Sequence, residues 1–141
     1  MALLKITREQ ILATMDIEAG VYTLRIRSIK AEEHKSKSGN ATLKVTVVNE
    51  VTGPKDSEMM GRTITQSYYM NYLVGFLPLV SVVTGEKFDD VEEMEEELDL
   101  DTDSMVGKEY VARVTMKPYE GKNRPEISDV FPAGFEVGEM F

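Results

Sequence analysis

The chain has 141 residues, of which 42% are hydrophobic and 29% charged, as expected for one globular domain that can bury a core. It contains no cysteine, which excludes disulfides and thiolate chemistry, and it has no apolar run long enough to cross a membrane. Its start shows no signal-peptide pattern, so we expect a cytoplasmic protein without a membrane partner.

The net charge of −9 comes mostly from residues 86–103, which read EKFDDVEEMEEELDLDTD. This acidic insert holds 11 of the 25 acidic and one of the 16 basic residues, which leaves 14 acidic against 15 basic residues elsewhere, about +1. An acidic chain can therefore still present a basic surface, because the field at a site depends on nearby charges.

Three interpretations of the acidic insert stay open. It could be a solvated segment that is partly helical along Val91, Met94 and Leu98, or a mimic of the DNA backbone. It could also bind a metal at Asp99–Asp103, but that stretch lacks the glycine and the glutamate of a calcium loop. No metal site is therefore predicted.

The first element predicted is a short helix, because Thr7 and Gln10 have the spacing of a capping box. From Gly20 to Lys30 the sequence alternates, with Tyr22, Leu24, Ile26 and Ser28 on one face, which predicts a strand. A second alternating run follows the turn at residues 36–40, and the two runs form the clearest hairpin.

The later elements complete a strand-rich pattern. Gly61 opens a third strand, Asn71 is expected to cap a helix that ends at Thr84–Gly85, and Pro78 should kink or divide it. Residues 109–119 and 124–131 predict a final hairpin.

This order predicts an all-β fold with a minor helix: a five-stranded OB-like barrel whose helix lies between strands three and four. Small β-barrels of other connectivity also fit the pattern. We expect a helical segment at 1–19, the barrel with its acidic insert at 20–131, and a flexible tail at 132–141.

Several short motifs lie at the starts and turns of these strands. They are Gly20-Val21-Tyr22, the turn from Lys35 to Asn40 leading into Leu43-Lys44-Val45, Gly61-Arg62, Gly107-Lys108, and Gly121 to Arg124. With them, the chain from about Gly20 to Pro132 resembles a group of phage-encoded single-stranded DNA-binding proteins with an OB fold. The resemblance implies a partner in single-stranded DNA, a role in phage replication or recombination, the host cytoplasm as location and no cofactor. Since single-strand binders are often dimers or tetramers, a homo-oligomer also fits.

Binding of a single strand requires cations that follow the phosphates and flat side chains on which bases stack. Both kinds of residue lie in the predicted strands, although cations on outer strand faces often serve solubility and edge protection instead. The candidates for nucleic-acid binding are Arg25, Arg27, Lys30, Lys35, Lys37, Lys44, Arg62, Tyr68, Tyr69, Tyr72, Arg113, Lys117, Tyr119, Lys122 and Arg124.

The tyrosines are not equally suited to stacking on a base. Tyr22 should belong to the core, and so should one of the adjacent pair Tyr68 and Tyr69, because neighbouring residues in a strand point to opposite faces. Tyr72 and Tyr119 stand at the ends of elements and are better placed for stacking. The single histidine, His34, is expected to be an exposed loop residue.

The end of the chain offers a second function. Phe135, Glu136, Glu139 and Phe141 resemble, weakly, the acidic tails ending in phenylalanine with which some single-strand-binding proteins recruit replication proteins. A frayed terminus is the alternative. The competing hypothesis is therefore an interaction module that docks through the acidic insert or the tail onto a replication or host nuclease protein.

Catalysis finds little support in the sequence. It has one histidine, no zinc-ligand spacing and no phosphate-binding glycine motif. We predict that the protein is not an enzyme, while a nuclease that uses carboxylates and a metal stays open.

Overall fold

The computed structural model describes residues 2–12, 14–35, 37, 39–88 and 99–135. These residues form one five-stranded antiparallel sheet and a few short helices, which confirms the predicted mostly-β class. The elements in chain order are α1 (Arg8–Leu12), β1 (Gly20–Lys35), β2 (Ala41–Gly53), β3 (Thr63–Tyr69), a 3-10 turn (Leu73–Gly75), α2 (Leu77–Thr84), a second 3-10 turn (Thr102–Ser104), β4 (Glu109–Tyr119) and β5 (Lys122–Pro132).

Strand β1 joins the two halves of the sheet, whose order is β3-β2-β1-β4-β5. Its first part, Gly20–Arg25, pairs with β4, and from Thr23 onward it pairs with β2 as far as its last residue, Lys35. The predicted first hairpin is thus confirmed, and its strands are longer than the alternation indicated.

The alternation of β1 is interrupted by a bulge. The register with β2 shifts between Ile26 and Ser28. Because a bulge adds one residue to one strand, Ser28 is exposed and Ile29 packs against the core. The prediction that Ser28 shares the inner face of Ile26 is therefore wrong.

The two edge strands, β3 and β5, approach each other without a backbone ladder between them. In the described part of the chain the sheet is open at this point, and closure into the predicted barrel is not seen. The Gln66 side chain reaches across, and its Oε1 accepts the Ile127 N–H at 3.4 Å. Along the chain α2 lies between β3 and β4, as predicted, and in space it lies with the first 3-10 turn between β3 and β5.

The helix between strands is divided as Pro78 predicted. A 3-10 turn ends at Gly75, and α2 follows with Pro78 in its first turn, where a missing N–H is tolerated. Gly85 ends α2 with φ +80°, the left-handed conformation expected of a C-terminal glycine. The predicted capping role of Asn71 is wrong, because α2 begins after Phe76 and no side chain caps it.

The leading segment contributes one residue, Ile17, to the core, while its short helix stays at the surface. Thr7 and Gln10 form the predicted capping box: the Gln10 N–H donates to Thr7 Oγ1 at 3.1 Å, and the Thr7 N–H donates to Gln10 Oε1 at 2.9 Å. None of the residues of α1 is buried, whereas Ile17 is completely buried.

The core fills the inner face of the curled sheet and lies against α2. Tyr22 is 7% exposed, as predicted, and its hydroxyl donates to the Glu18 carbonyl at 2.7 Å. The largest completely or almost completely buried apolar side chains are Ile17, Leu24, Ile26, Val47, Val51, Leu79, Val80, Met105, Tyr110 and Val114.

One polar pair lies inside this apolar core. Asn49 of β2 and Tyr110 of β4 are both 0% exposed, and the Tyr110 hydroxyl donates to Asn49 Oδ1 at 2.8 Å. The Asn49 amide nitrogen donates in turn to the Ile64 carbonyl of β3 at 3.2 Å. Since a buried polar group is stable only when it is hydrogen-bonded, the pair fixes β2, β3 and β4 relative to one another.

Two sequence-based expectations fall partly outside the described residues. The predicted helical stripe of the acidic insert lies outside the described residues. So does the end of the tail, with Glu136, Glu139 and Phe141. Among the described helices none is long and apolar enough to cross a membrane.

We predict that Tyr110→Phe lowers the free energy of unfolding by about 1–3 kcal/mol, because Asn49 Oδ1 loses its donor inside the core. Urea unfolding followed by circular dichroism measures the change. Tyr72→Phe is the matched control, since Tyr72 is 67% exposed and should be unaffected. Equal stabilities of wild type and Tyr110→Phe would contradict the role of the pair.

Alkaline pH should destabilise the fold through its buried tyrosines. Burial raises the pKa of Tyr68 and of Tyr110 above the ordinary value of 10.0, so both stay neutral in the folded chain where the unfolded chain ionises. The unfolded state then holds fewer protons, and the free energy of unfolding falls as the pH rises above 10, by up to about 1.4 kcal/mol per pH unit for each group. Below that pH these two groups have no effect.

Urea unfolding across an alkaline pH series tests this expectation. In Tyr68→Phe one of the two groups is missing, so the decline with pH should be shallower. An identical decline in wild type and variant would show that Tyr68 ionises equally in both states.

Candidate nucleic-acid interface

The arginines near the middle of β1 are paired with carboxylates. Arg25 and Arg27 both donate to Glu50 of β2, each through Nη2 at 3.0 Å, and Arg27 also pairs with Glu9 of α1. The Glu50 side chain is only 16% exposed, so its charge acts on the two arginines with little screening by water. The structure brings these two predicted residues together, but the carboxylates of Glu50 and Glu9 largely balance their positive charge.

The cations in the middle of the second hairpin are paired too. Arg113 Nε of β4 donates to Asp129 Oδ2 of β5 at 2.8 Å, and Lys117 Nζ lies 3.3 Å from Glu126 Oε2. The Lys117 side chain is 70% exposed, and such surface pairs contribute little stability. Lys117 can therefore exchange its partner for a phosphate at small cost, whereas the Arg113 side chain is only 39% exposed and has a closer partner.

A different group of cations lies toward the turn of the first hairpin. Lys30 and Lys44 are on the outer face, Lys35 is the last residue of β1, and Lys37 lies in the turn. Among the described residues none of the four has an ion-pair partner within 4 Å, although Lys44 is opposite Glu32 in the ladder. We call Lys30, Lys35, Lys37 and Lys44 the hairpin cluster.

An aromatic pair lies beside the hairpin cluster. Tyr69, at the end of β3, is opposite Lys44, and its ring centroid lies 5.3 Å from that of His34. Tyr68 points the other way: it is 9% exposed and packs against Phe76. The prediction that one of these adjacent tyrosines belongs to the core is confirmed, and Tyr69 is the member left for stacking.

His34 was missed as a member of this surface. It is half-buried in β1 and not in a loop, because β1 runs on to Lys35. The sequence alone did not give this placement: the alternation continued from Tyr22 would turn residues 30, 32 and 34 inward, and only the bulge after Ile26 brings them to the outer face with Lys44.

Arg62, a predicted nucleic-acid-binding residue, makes a structural contact within the chain. It precedes β3, its Nη1 donates to the Asp16 carbonyl at 3.0 Å, and its buried Nε has no hydrogen-bond partner among the described residues. Arg62 therefore ties the leading segment to the start of β3 and is poorly placed to follow a phosphate backbone.

The remaining candidates lie at the other hairpin and after β3. Lys122 and Arg124 are exposed at the start of β5, next to a tight turn in which Glu120 and Gly121 have φ values of +50° and +80°. Tyr119 ends β4, and its side chain lies outside the described part. Tyr72 is 67% exposed just after β3.

A groove separates the edge strands where α2 passes between them. Its volume is about 440 Å³, its β3 wall is Gln66–Tyr68, its β5 wall is residues 126–130, and Tyr72, Val74, Gly75, Pro78 and Leu79 form its third side. Glu126 and Asp129 on the β5 wall are paired with Arg113 and Lys117, so this wall carries little net charge with which to attract a phosphate backbone.

The base of the tail is held against the sheet. The Phe135 ring stacks on Phe131 of β5, with centroids 4.7 Å apart and planes inclined by 10°. Phe135, predicted to contact a protein partner, is therefore occupied within the chain, and it is 37% exposed.

The aspartates at the end of the acidic insert have a local role. Asp101 caps the second 3-10 turn, because its side chain accepts the Asp103 N–H at 3.0 Å. This Asx geometry accounts for the presence of an aspartate at position 101.

Comparison of the sequence with protein-family models gives no match, and comparison with curated proteins gives none either. A function for this chain is therefore inferred from the geometry of the site.

Proposed function

We propose that this chain is a single-stranded DNA-binding protein without strong sequence preference, acting in phage replication or recombination. This proposal depends most on how the cations are divided: those in the middle of the sheet are ion-paired, whereas the four of the hairpin cluster have no ion-pair partner within the described residues. Phosphates are attracted where positive charge is not already balanced.

The arrangement of the sheet supports this proposal. The order β3-β2-β1-β4-β5, with α2 between β3 and β4 in the chain, is that of an OB barrel opened between β3 and β5. We infer a partly open OB barrel, a fold whose outer face of strands two and three binds single strands together with the loops joining strands one to two and four to five. The hairpin cluster and Tyr69 occupy the first of these loops and that face, and Lys122 with Arg124 occupies the second.

The binding mechanism combines phosphate contacts with stacking. Lys35 and Lys37 at the turn and Lys44 on the face attract the backbone, and Tyr69 presents a ring to a base beside Lys44. Arg25 and Arg27 have a secondary role, because a phosphate must displace Glu50 to reach them.

The primary test is fluorescence anisotropy with a labelled oligo-dT, compared with the corresponding duplex at low and moderate salt. We expect salt-sensitive binding that strongly prefers the single strand. Absence of binding at low salt, or equal affinity for the duplex, would contradict the proposal.

The triple variant Lys35→Ala/Lys37→Ala/Lys44→Ala should bind oligo-dT more weakly and with a smaller dependence on salt. Loss of three phosphate contacts reduces the slope of log affinity against log salt by about 2. The matched control, Lys55→Ala/Lys87→Ala/Lys108→Ala, changes the net charge equally outside the cluster and should bind almost like wild type. Equal losses in both triple variants would show that net charge, and not the hairpin cluster, drives binding.

Replacement of Tyr69 tests stacking separately from charge. Tyr69→Ala should weaken oligo-dT binding by about 1–3 kcal/mol, while Tyr69→Phe should retain it because the ring is kept. Circular dichroism of both variants controls for the fold. If Tyr69→Ala binds as tightly as Tyr69→Phe, Tyr69 is not a stacking platform.

A further inference from the structure

The outer face beside the hairpin cluster contains the only histidine of the chain, His34. Histidine is the side chain whose charge can change between about pH 5 and 8, and the chain has no cysteine that could titrate there as well. A proton on the imidazole adds a positive charge to a surface whose four lysines have no ion-pair partner among the described residues.

The His34 ring lies next to both kinds of group that a single strand requires. His34 is opposite Thr42 of β2, one step along the face from Lys44, and its ring centroid is 5.3 Å from that of Tyr69, with planes inclined by 57°. At this separation the two rings contact each other, so no base fits between them. A strand that stacks a base on the free side of Tyr69 brings its backbone close to His34 and Lys44.

The groups around His34 leave its ring nitrogens available. On the same face of β1 Glu32 precedes it by two residues, the lysines of the hairpin cluster surround it on β1, β2 and the turn, and Tyr69 faces it from β3. Among these described groups Glu32 attracts a positive charge on the ring and the lysines repel it. No carboxylate of the described part lies within 4 Å of the ring, and neither ring nitrogen has a hydrogen-bond partner there.

From these observations we propose that His34 is a further nucleic-acid-binding residue, whose imidazolium contacts a phosphate of the strand that stacks on Tyr69. This inference rests on the proposed function and adds to it a dependence on pH. Because the bound strand favours the charged ring, binding takes up a proton, and affinity rises as the pH falls through the range in which histidine titrates.

Anisotropy with labelled oligo-dT from about pH 8 to about pH 5.5, at constant salt, tests the inference with two variants. His34→Phe keeps a ring against Tyr69 without a charge, and His34→Arg keeps a planar group that is always charged. We expect wild type to bind at least about threefold more tightly at the lower pH, with a salt slope steeper by about 0.7, as one added phosphate contact requires. His34→Phe should bind at every pH as wild type does at the higher one, and His34→Arg should bind at the higher pH as wild type does at the lower one.

The carboxylates are the same in all three proteins, so the differences between their pH profiles report His34 alone. Circular dichroism controls for the fold. Parallel profiles for wild type and His34→Phe, or equal affinities of His34→Phe and His34→Arg at the higher pH, would overturn the role of His34 while the proposed function stands. Absence of oligo-dT binding by wild type at every pH would overturn both.

Nuclear magnetic resonance gives a second readout that needs no variant. As the only histidine, His34 contributes a single set of imidazole signals, whose shifts follow its protonation. Saturating oligo-dT should move the midpoint of this titration to higher pH, because a phosphate beside the ring favours the imidazolium. A midpoint that oligo-dT leaves unchanged, with binding itself observed, would show that the ring supports Tyr69 without contacting the strand.

Discussion

A hydrogen bond in the centre of the core, from the Tyr110 hydroxyl to the Asn49 side chain, joins strands that are not neighbours in the sheet. Strand β1 lies between β2 and β4 in the order of the sheet, so this bond can form only because the sheet curls and lets them face each other across the interior. The same curl carries β3 toward β5 and leaves the groove where α2 enters. The position of the groove thus depends on how far the sheet is bent around this pair.

The distribution of charge follows the distribution of packing. In the middle of the sheet each arginine lies beside a carboxylate on a neighbouring strand, as with Arg25 and Glu50 or Arg113 and Asp129. These pairs leave the body of the molecule near neutrality on that face. Toward the turn of the first hairpin the lysines lack such partners among the described residues, so an acidic protein presents a local basic surface. Net charge alone would have hidden this.

Much of the fold could be predicted from the sequence because alternation and turn residues are local signals. The two hairpins, the division of the helix at Pro78 and the inward and outward members of the Tyr68–Tyr69 pair are of this kind. The bulge after Ile26 was not predictable, since it depends on the register with β2 and displaces Ser28 without any glycine to mark it. The ion pairs of Arg25, Arg27 and Arg113 were missed for a related reason: they depend on which strands lie side by side. The groove depends on the approach of segments about sixty residues apart, Gln66 and Ile127, and no local pattern encodes it.

The length of β1 and β2 has a mechanical consequence. Beyond Leu43, whose carbonyl accepts the Met70 N–H at 3.0 Å, the described residues of β1 and β2 are paired only with each other, and Leu43, on the inner side, is 47% exposed. A two-stranded ribbon without a core beneath it has little stability of its own and twists and bends readily. The end of the hairpin is therefore less constrained by tertiary packing than the strands that cover the core. Under the proposed function, this end would adapt to a bound single strand while the core strands keep their positions, so adaptation and stability of the fold would reside in different parts of the same two strands.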